Sequence, residues 1–295
     1  MVVPYVKSCL SLPGMIANPN VKINLGLNVL RRREDGYHDL ETLFVPYYGI
    51  SDTLEIVTSD DWSRTLGRIM EGYPPECVAQ AISPDARVMI TIARREGVDW
   101  DPLKDLTVRA FFLLSEHYDL PPVKIFLEKT SPVGAGLGGG SADAAFALRM
   151  LSGMFGLDLS DGSLAGYAAA LGSDCAFFVY DRPMFGEGRG EILSPFPLPL
   201  DTRRYRMEVR VPEGISVSTA DAYRGIVPGL PARPLREVLG EDVTLWKDSL
   251  VNDFEKTVFR RYPALAAFKR SLYEEGAVYA SMSGSGSAFF AIFEK

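Results

Sequence analysis

Pro132-Val133-Gly134-Ala135-Gly136-Leu137-Gly138-Gly139-Gly140-Ser141 is the stretch on which the reading of this chain turns. Before it, Val123, Ile125 and Leu127 alternate with polar residues in the period of a strand. After it, Ala142, Ala144, Ala145 and Ala147 open a segment that predicts a helix from about Ser141 to Phe155. Glycines between a strand and a helix let backbone N–H groups approach an oxyanion without interference from Cβ atoms. The helix start adds unpaired donors and the positive end of the dipole. Such a loop suits a polyphosphate. Gly134, Gly136 and Gly139 also satisfy the G-x-G-x-x-G spacing of dinucleotide-binding folds. That pattern belongs in a βαβ unit near the start of a domain, whereas this loop lies deep in the chain and runs three glycines together before a serine. No Gly-Lys-Ser or Gly-Lys-Thr occurs, which excludes a Walker loop. A plain turn with a tight helix–strand contact remains the bland alternative.

Outward from the loop, Val21, Ile23, Leu25 and Leu27 alternate with Lys22, Asn24, Gly26 and Asn28, the pattern of a half-buried strand whose polar residues share one face. Arg31 to Asp35 followed by Gly36 reads as a turn, and Leu43 to Tyr48 and Thr53 to Val57 as short strands, so the opening is expected to be a β-meander. Residues 59–105 read as irregular, because Pro74, Pro75, Pro84 and Pro102 interrupt any helix at Val78 to Ile82 or Val88 to Arg95. Leu106 to His117 and Leu164 to Leu171 are predicted helices. Phe177 to Tyr180 reads as a short apolar strand, and Arg206 to Val211 as an alternating one. Strands and helices mix without regular βαβα alternation, which places the chain in the α+β class. Pro195, Pro197 and Pro199 stiffen Ser194 to Asp201 into a linker, dividing the chain into domains 19–195 and 196–295 behind an N-terminal extension, 1–18.

The 295 residues carry a net charge of −7 with Lys and Arg scattered, so no nucleic-acid partner is expected and an anionic small molecule needs a local trap. No apolar run approaches the roughly 18 residues of a membrane span, and Lys7 with Pro4, Pro13 and Pro19 makes a poor signal peptide. Cys9, Cys77 and Cys175 suit neither a disulfide framework nor a zinc site, pointing to a reducing, cytoplasmic setting. His38 and His117 are the only histidines, so acid–base chemistry falls mainly to Asp, Glu, Lys or Tyr.

Pro132 to Ala145 resembles the phosphate-binding motif of the GHMP kinases, a superfamily of small-molecule kinases. Within it, Pro19-Asn20-Val21-Lys22-Ile23-Asn24-Leu25, Asp35-Gly36-Tyr37-His38-Asp39-Leu40-Glu41-Thr42-Leu43-Phe44 and Leu171-Gly172-Ser173-Asp174-Cys175-Ala176-Phe177-Phe178 are similar to the 4-diphosphocytidyl-2-C-methyl-D-erythritol kinase family. Asn252-Asp253-Phe254-Glu255 and Ser283-Gly284-Ser285-Gly286-Ser287-Ala288 also fit, so the resemblance covers most of 19–57 and 105–295. It implies a ribosomal protein S5 domain 2-like N-terminal domain and a ferredoxin-like C-terminal domain. It also implies transfer of the ATP γ-phosphoryl group, with Mg2+, to the 2-hydroxyl of that alcohol in isoprenoid biosynthesis.

The resemblance carries roles residue by residue. Asp174, which would otherwise be a turn or N-cap residue, becomes the catalytic base. Lys22, otherwise a surface lysine, stands beside it, with Asn24 on the same strand face toward the substrate. Pro132, Gly134, Gly136, Leu137, Gly138, Gly139, Gly140 and Ser141 hold ATP, and Ser141, otherwise a helix cap, also reaches Mg2+. Tyr37 and His38 hold the cytosine, with Tyr223 as a second aromatic wall. Asp143, in the first helical turn, receives no catalytic role, and Gly284-Ser285-Gly286 is either a hairpin turn or a second phosphate contact. Three features depart from the pattern. Asp105 stands where an asparagine usually helps to bind the nucleotide, and a carboxylate cannot donate. Residues 59–104 exceed the usual loop, and Cys175-Ala176 replaces the commoner Val-Pro. Rival readings are a GHMP kinase for mevalonate-type, homoserine or sugar alcohols, and a silent member that only binds a ligand; a monomer or homodimer is expected in either case.

Overall fold

The computed structural model describes residues 15–295. The chain opens with β1 (Met15–Ala17), β2 (Asn20–Arg32), β3 (His38–Ser51) and β4 (Thr53–Thr58). Residues 1–14 of the expected extension lie outside the described residues, but its end is structured: β1 pairs antiparallel with β4. The opening strands are not a meander. β2 and β3 form an antiparallel pair, while β4 leaves for a different sheet. The corner is made by Asp52, whose buried carboxylate accepts from the backbone N–H groups of Thr130 and Ser131 at 2.7 Å each. A buried acceptor with two donors fixes the turn more firmly than pattern alone can show.

The stretch read as irregular is ordered. After α1 (Leu66–Gly72) come β5 (Val78–Ile82) and β6 (Val88–Arg94), paired antiparallel. The prolines at 74, 75 and 84 bound these strands rather than interrupt them, and Val88, Ile90 and Ile92 are buried in strand alternation. α2 (Leu106–Ser115) then crosses to β7 (Val123–Lys129), which runs parallel to β6 as a βαβ unit should. The resulting sheet has the order β1-β4-β7-β6-β5.

The glycine loop joins β7 to α3 (Gly139–Met154), followed by α4 (Asp161–Leu171) and α5 (Cys175–Tyr180). α5 replaces the strand expected at Phe177 to Tyr180. Its apolar run is buried throughout except for Tyr180 and packs on α3 and α4; so short a run carries no period that separates helix from strand. β8 (Met184–Glu187) and β9 (Ile192–Pro195) complete a four-stranded sheet in the order β2-β3-β8-β9.

The remaining chain adds β10 (Tyr205–Arg210), α6 (Thr219–Tyr223), α7 (Leu235–Leu239), α8 (Trp246–Ser249), α9 (Asp253–Arg261), α10 (Pro263–Glu274), β11 (Tyr279–Met282) and β12 (Phe289–Glu294). Its sheet is antiparallel in the order β10-β12-β11. Val21, Ile23 and Leu25 of β2 share one core with Trp246, Tyr279, Phe290 and Ile292. Each such side chain contributes about 1.5–3 kcal/mol on burial. β2 is therefore not half-buried: one face meets this core, and Lys22 and Asn24 on the other are buried as well. A bulge between Leu25 and Leu27 ends the expected alternation, so that Leu27 rather than Asn28 follows Lys22 and Asn24 along the cavity face. Among the described residues no helix is long and apolar enough to cross a membrane.

Candidate active site

A cavity of about 990 Å³ lies over the glycine loop. Gly138 is the N-cap residue of α3 at φ +74°, and no side chain caps the helix, so the first-turn N–H groups are left to a ligand. Ser141, expected as a possible cap, is instead the third residue of the helix and lines the cavity. Gly136 adopts φ +78°, and a Cβ there would stand 2.2 Å from the Ser283 carbonyl oxygen. The glycine is thus required twice, by conformation and by the close approach of the β11–β12 turn. That turn is a hairpin and also a loop contact: Ser283 Oγ donates to the Gly136 carbonyl at 3.1 Å, and the Ala288 N–H to Ala135 at 3.1 Å. Asn252 Nδ2 holds the turn through the carbonyls of Met282 and Gly284, at 2.7 and 2.9 Å.

Lys22 is buried under the loop. Its backbone N–H donates to Leu137 at 2.9 Å, and its Nζ donates to Asn24 Oδ1 at 2.6 Å and to the Gly136 carbonyl at 2.8 Å. Asp174 Oδ2 lies 3.4 Å from the same Nζ, with the aspartate side chain 32% exposed. Asp174 occupies the N-cap position of α5 yet makes no capping bond with its side chain, so the carboxylate is available to the cavity. Asn24 spends both ends of its amide, the oxygen on Lys22 and Nδ2 on Thr42 Oγ1 at 3.1 Å, while Thr42 donates onward to the Gly26 carbonyl at 2.5 Å. Beside Asp174, burial pushes the Cys175 thiol up to about 11, so it stays protonated at neutral pH.

At the β2–β3 turn, the His38 ring stacks on Tyr223 of α6, with centroids 4.8 Å apart, and Phe254 backs Tyr223 edge-on. Burial, then the nearby Arg32 charge, hold His38 below the usual imidazole range, so the ring is neutral at pH 7. Tyr37 is 57% exposed and makes no such stack, but the Arg189 guanidinium lies 5.0 Å from its ring centroid. Arg189 lines the cavity and escaped the sequence reading, although its Gly188-Arg189-Gly190 turn was a visible signal. Thr42 and Trp100 were missed too, because nothing local marks them as neighbours of the loop.

Asp143 is not a first-turn surface carboxylate. It is buried and bonds Lys129 Nζ at 2.7 Å, and the same ammonium bonds Asp52 at 2.5 Å. Burial raises the Asp143 carboxyl well above the usual range against the pull of Lys129. Asp105, placed where a donor was expected, caps α2: Oδ1 accepts from the Thr107 N–H at 2.9 Å and from its hydroxyl at 2.7 Å.

Residues 105–182 match the description "GHMP kinases N terminal domain" and residues 235–295 "GHMP kinases C terminal". The 4-diphosphocytidyl-2-C-methyl-D-erythritol kinase of Bacteroides fragilis is 43% identical over 279 residues, covering 95% of this chain and 92% of that one. Its counterpart from Azobacteroides pseudotrichonymphae is 42% identical over 282 residues, with 95% and 94% covered. A crystal structure of 4-(cytidine 5'-diphospho)-2C-methyl-D-erythritol kinase superposes with a TM-score of 0.67 at 32% identity, over 94% of this chain and 89% of that one. Homoserine kinase from Cytophaga hutchinsonii, at 18% identity and a TM-score of 0.60, shares the fold. With the mixed sheets and helices of that architecture and relatives matched along nearly its whole length, this chain belongs to the 4-diphosphocytidyl-2-C-methyl-D-erythritol kinase family of GHMP kinases.

Proposed function

We propose that the protein transfers the γ-phosphoryl group of ATP to the 2-hydroxyl of 4-diphosphocytidyl-2-C-methyl-D-erythritol, a step of non-mevalonate isoprenoid biosynthesis. The observation that carries this reading is the Lys22–Asp174 pair at 3.4 Å, held against the carbonyl of a glycine in the phosphate loop. Asp174 accepts the hydroxyl proton as the oxygen attacks the γ-phosphorus; the bond from phosphorus to the β–γ bridging oxygen breaks and ADP leaves. Lys22 keeps Asp174 ionised and neutralises charge growing at the transferring group. Asn24, with both amide ends engaged, orients Lys22 as well as lining the substrate's path.

Pro132, Gly134, Gly136, Leu137, Gly138, Gly139, Gly140 and Ser141 hold the triphosphate through the loop and the uncapped start of α3. Ser141 would hold an Mg2+ ion brought in with the nucleotide. Among the described residues no group of three or more His, Cys, Asp or Glu could cage a metal, and the Ser141 hydroxyl with the Asp174 carboxylate suits an ion ligated mainly by phosphate and water. When bound, it offsets phosphate charge. Tyr37, His38 and Tyr223 receive the cytosine: the neutral His38 can donate from one ring nitrogen and accept at the other. We also divide the chain near residue 195, where β9 ends and a new sheet follows, into a nucleotide-holding half, 19–195, and a half that closes the site, 196–295. A cytoplasmic setting agrees with the free thiols of Cys77 and Cys175.

The test is ATP consumption with 4-diphosphocytidyl-2-C-methyl-D-erythritol beside mevalonate, homoserine and galactose. Turnover with the first alone is expected. A response to one of the others, or none to any, would overturn the assignment.

A further inference from the structure

The Lys22 ammonium has three protons to give, and two point inward, to Asn24 Oδ1 at 2.6 Å and to the Gly136 carbonyl at 2.8 Å. Asp174 Oδ2 stands on the remaining side, 3.4 Å away. The place of the ammonium therefore depends on which end of the Asn24 amide it meets. An ammonium only donates, so it needs the oxygen; an amide turned end for end would set an NH2 group against a cation.

That choice is fixed from the far side of Asn24. Its Nδ2 lies 3.1 Å from Thr42 Oγ1, and Thr42 Oγ1 lies 2.5 Å from the Gly26 carbonyl. A carbonyl carries no proton, so the Thr42 hydroxyl gives its only one to Gly26 and keeps lone pairs alone for Asn24. Nδ2 is then the end of the amide that Thr42 can receive, and Oδ1 is left for Lys22. The chain runs one way: Lys22 donates to Asn24, Asn24 to Thr42, and Thr42 to Gly26.

Both anchors of the chain are rigid. The bulge between Leu25 and Leu27 leaves Gly26, at φ +72°, out of the β2–β3 pairing, which turns its carbonyl away from the regular ladder. Thr42 lies on β3, opposite Leu27 of β2 on one side and Gly186 of β8 on the other, and is fully buried. A backbone paired on both sides keeps the hydroxyl in place, and bulk water does not reach it to act as a substitute.

We infer that Thr42 is a positioning residue for phosphoryl transfer: anchored on the Gly26 bulge, it sets the direction of the Asn24 amide and through it holds Lys22 beside Asp174. Without the hydroxyl, the buried Nδ2 stands unpaired and the amide is drawn off Lys22. The inference rests on the kinase reading.

Steady-state kinetics of the full chain with ATP and 4-diphosphocytidyl-2-C-methyl-D-erythritol tests it. Thr42→Val keeps the shape of the side chain and removes the hydroxyl. It should lower kcat about 10–10²-fold, the scale of a small misplacement at a reacting centre, and move KM for ATP and for the acceptor less than about threefold. Thr42→Ser retains the hydroxyl and should return kcat to within about threefold of the wild type. Thr42→Ala is measured beside them, with melting temperatures, so that a folding defect peculiar to valine does not decide the result. A double-mutant cycle separates positioning from a purely structural part: in an Asn24→Ala background, Thr42→Val should slow turnover no further, because no amide is left to orient. Multiplying losses in that cycle, wild-type kcat in both Thr42→Val and Thr42→Ala, or a Thr42→Ser as slow as Thr42→Val would overturn the inference and leave the kinase reading standing. A wild-type protein without turnover would overturn the kinase reading and this inference with it.

Discussion

Two buried lysines flank the glycine loop, and they are partnered in opposite ways. Lys129 is enclosed by Asp52 and Asp143 at 2.5 and 2.7 Å, both carboxylates themselves buried. Burial alone would lower its affinity for a proton, yet the two anions hold the ammonium above the usual lysine range. Lys22 is as deeply buried but meets one amide oxygen, one backbone carbonyl and one carboxylate that is 32% exposed. The first ammonium is enclosed by buried carboxyl groups and belongs to the frame; the second retains charge for a ligand. Burial of a lysine therefore does not mark a site, whereas incomplete neutralisation beside an anion trap does.

Substitutions can break this contrast. Asp174→Asn should keep the fold and lower kcat by about 10²–10⁴, the range of general acid–base catalysis, with KM for ATP little changed in a coupled ADP assay; near-normal turnover would remove Asp174 from the chemistry. Lys129→Met strands two buried carboxylates and should cost about 3–5 kcal/mol in denaturant unfolding. Lys22→Met should cost about 1 kcal/mol at most while abolishing turnover, because its anion can turn to water. A stable but inactive Lys129→Met would erase the distinction between the two. Replacing both Tyr37 and His38 by alanine should raise KM for the acceptor about tenfold, as loss of ring contacts worth about 1–1.5 kcal/mol implies, and leave KM for ATP unchanged.

The smallest effect concerns pH. Burial favours the neutral His38 ring, so its protonation in the folded protein lies below the unperturbed value of 6.5. The neutral form therefore persists as pH falls to about 6.5, and any weakening of acceptor binding begins only below it. KM for the acceptor should stay flat between about pH 8 and 6.5, then rise, and the rise should vanish in His38→Gln. A change centred above pH 7 would contradict the neutral-ring account.

The loop, β7 and α3 were legible because their signals are local: alternation, glycines, then alanines in one short stretch. The alternation in β2 correctly put Lys22 and Asn24 on one face, but a polar face reads as solvent-facing unless the fold is known to roof it with a loop. Asp52 and Lys129 are separated by 77 positions, and no local pattern announces a buried pair at that distance. Residues 78–94 were misread because prolines break helices and bound strands equally well, and α5 because a short apolar run has no distinguishing period. Tyr37, His38 and Tyr223 were all expected at the cytosine, and of the two turn residues it is His38 that meets Tyr223 directly.

The seat of β2 bears on how the protein is made. Val21, Ile23 and Leu25 leave the ribosome long before the Tyr279, Phe290 and Ile292 they pack against. Lys22 and the carbonyl of Gly136 likewise wait for Ser283. A nascent chain can form its central βαβ unit during synthesis, but it cannot close the floor of the catalytic chamber until β11 and β12 have emerged. Fragments ending before β11 should therefore emerge with an exposed apolar strand and depend on chaperones, and activity should appear only once β12 has joined the fold.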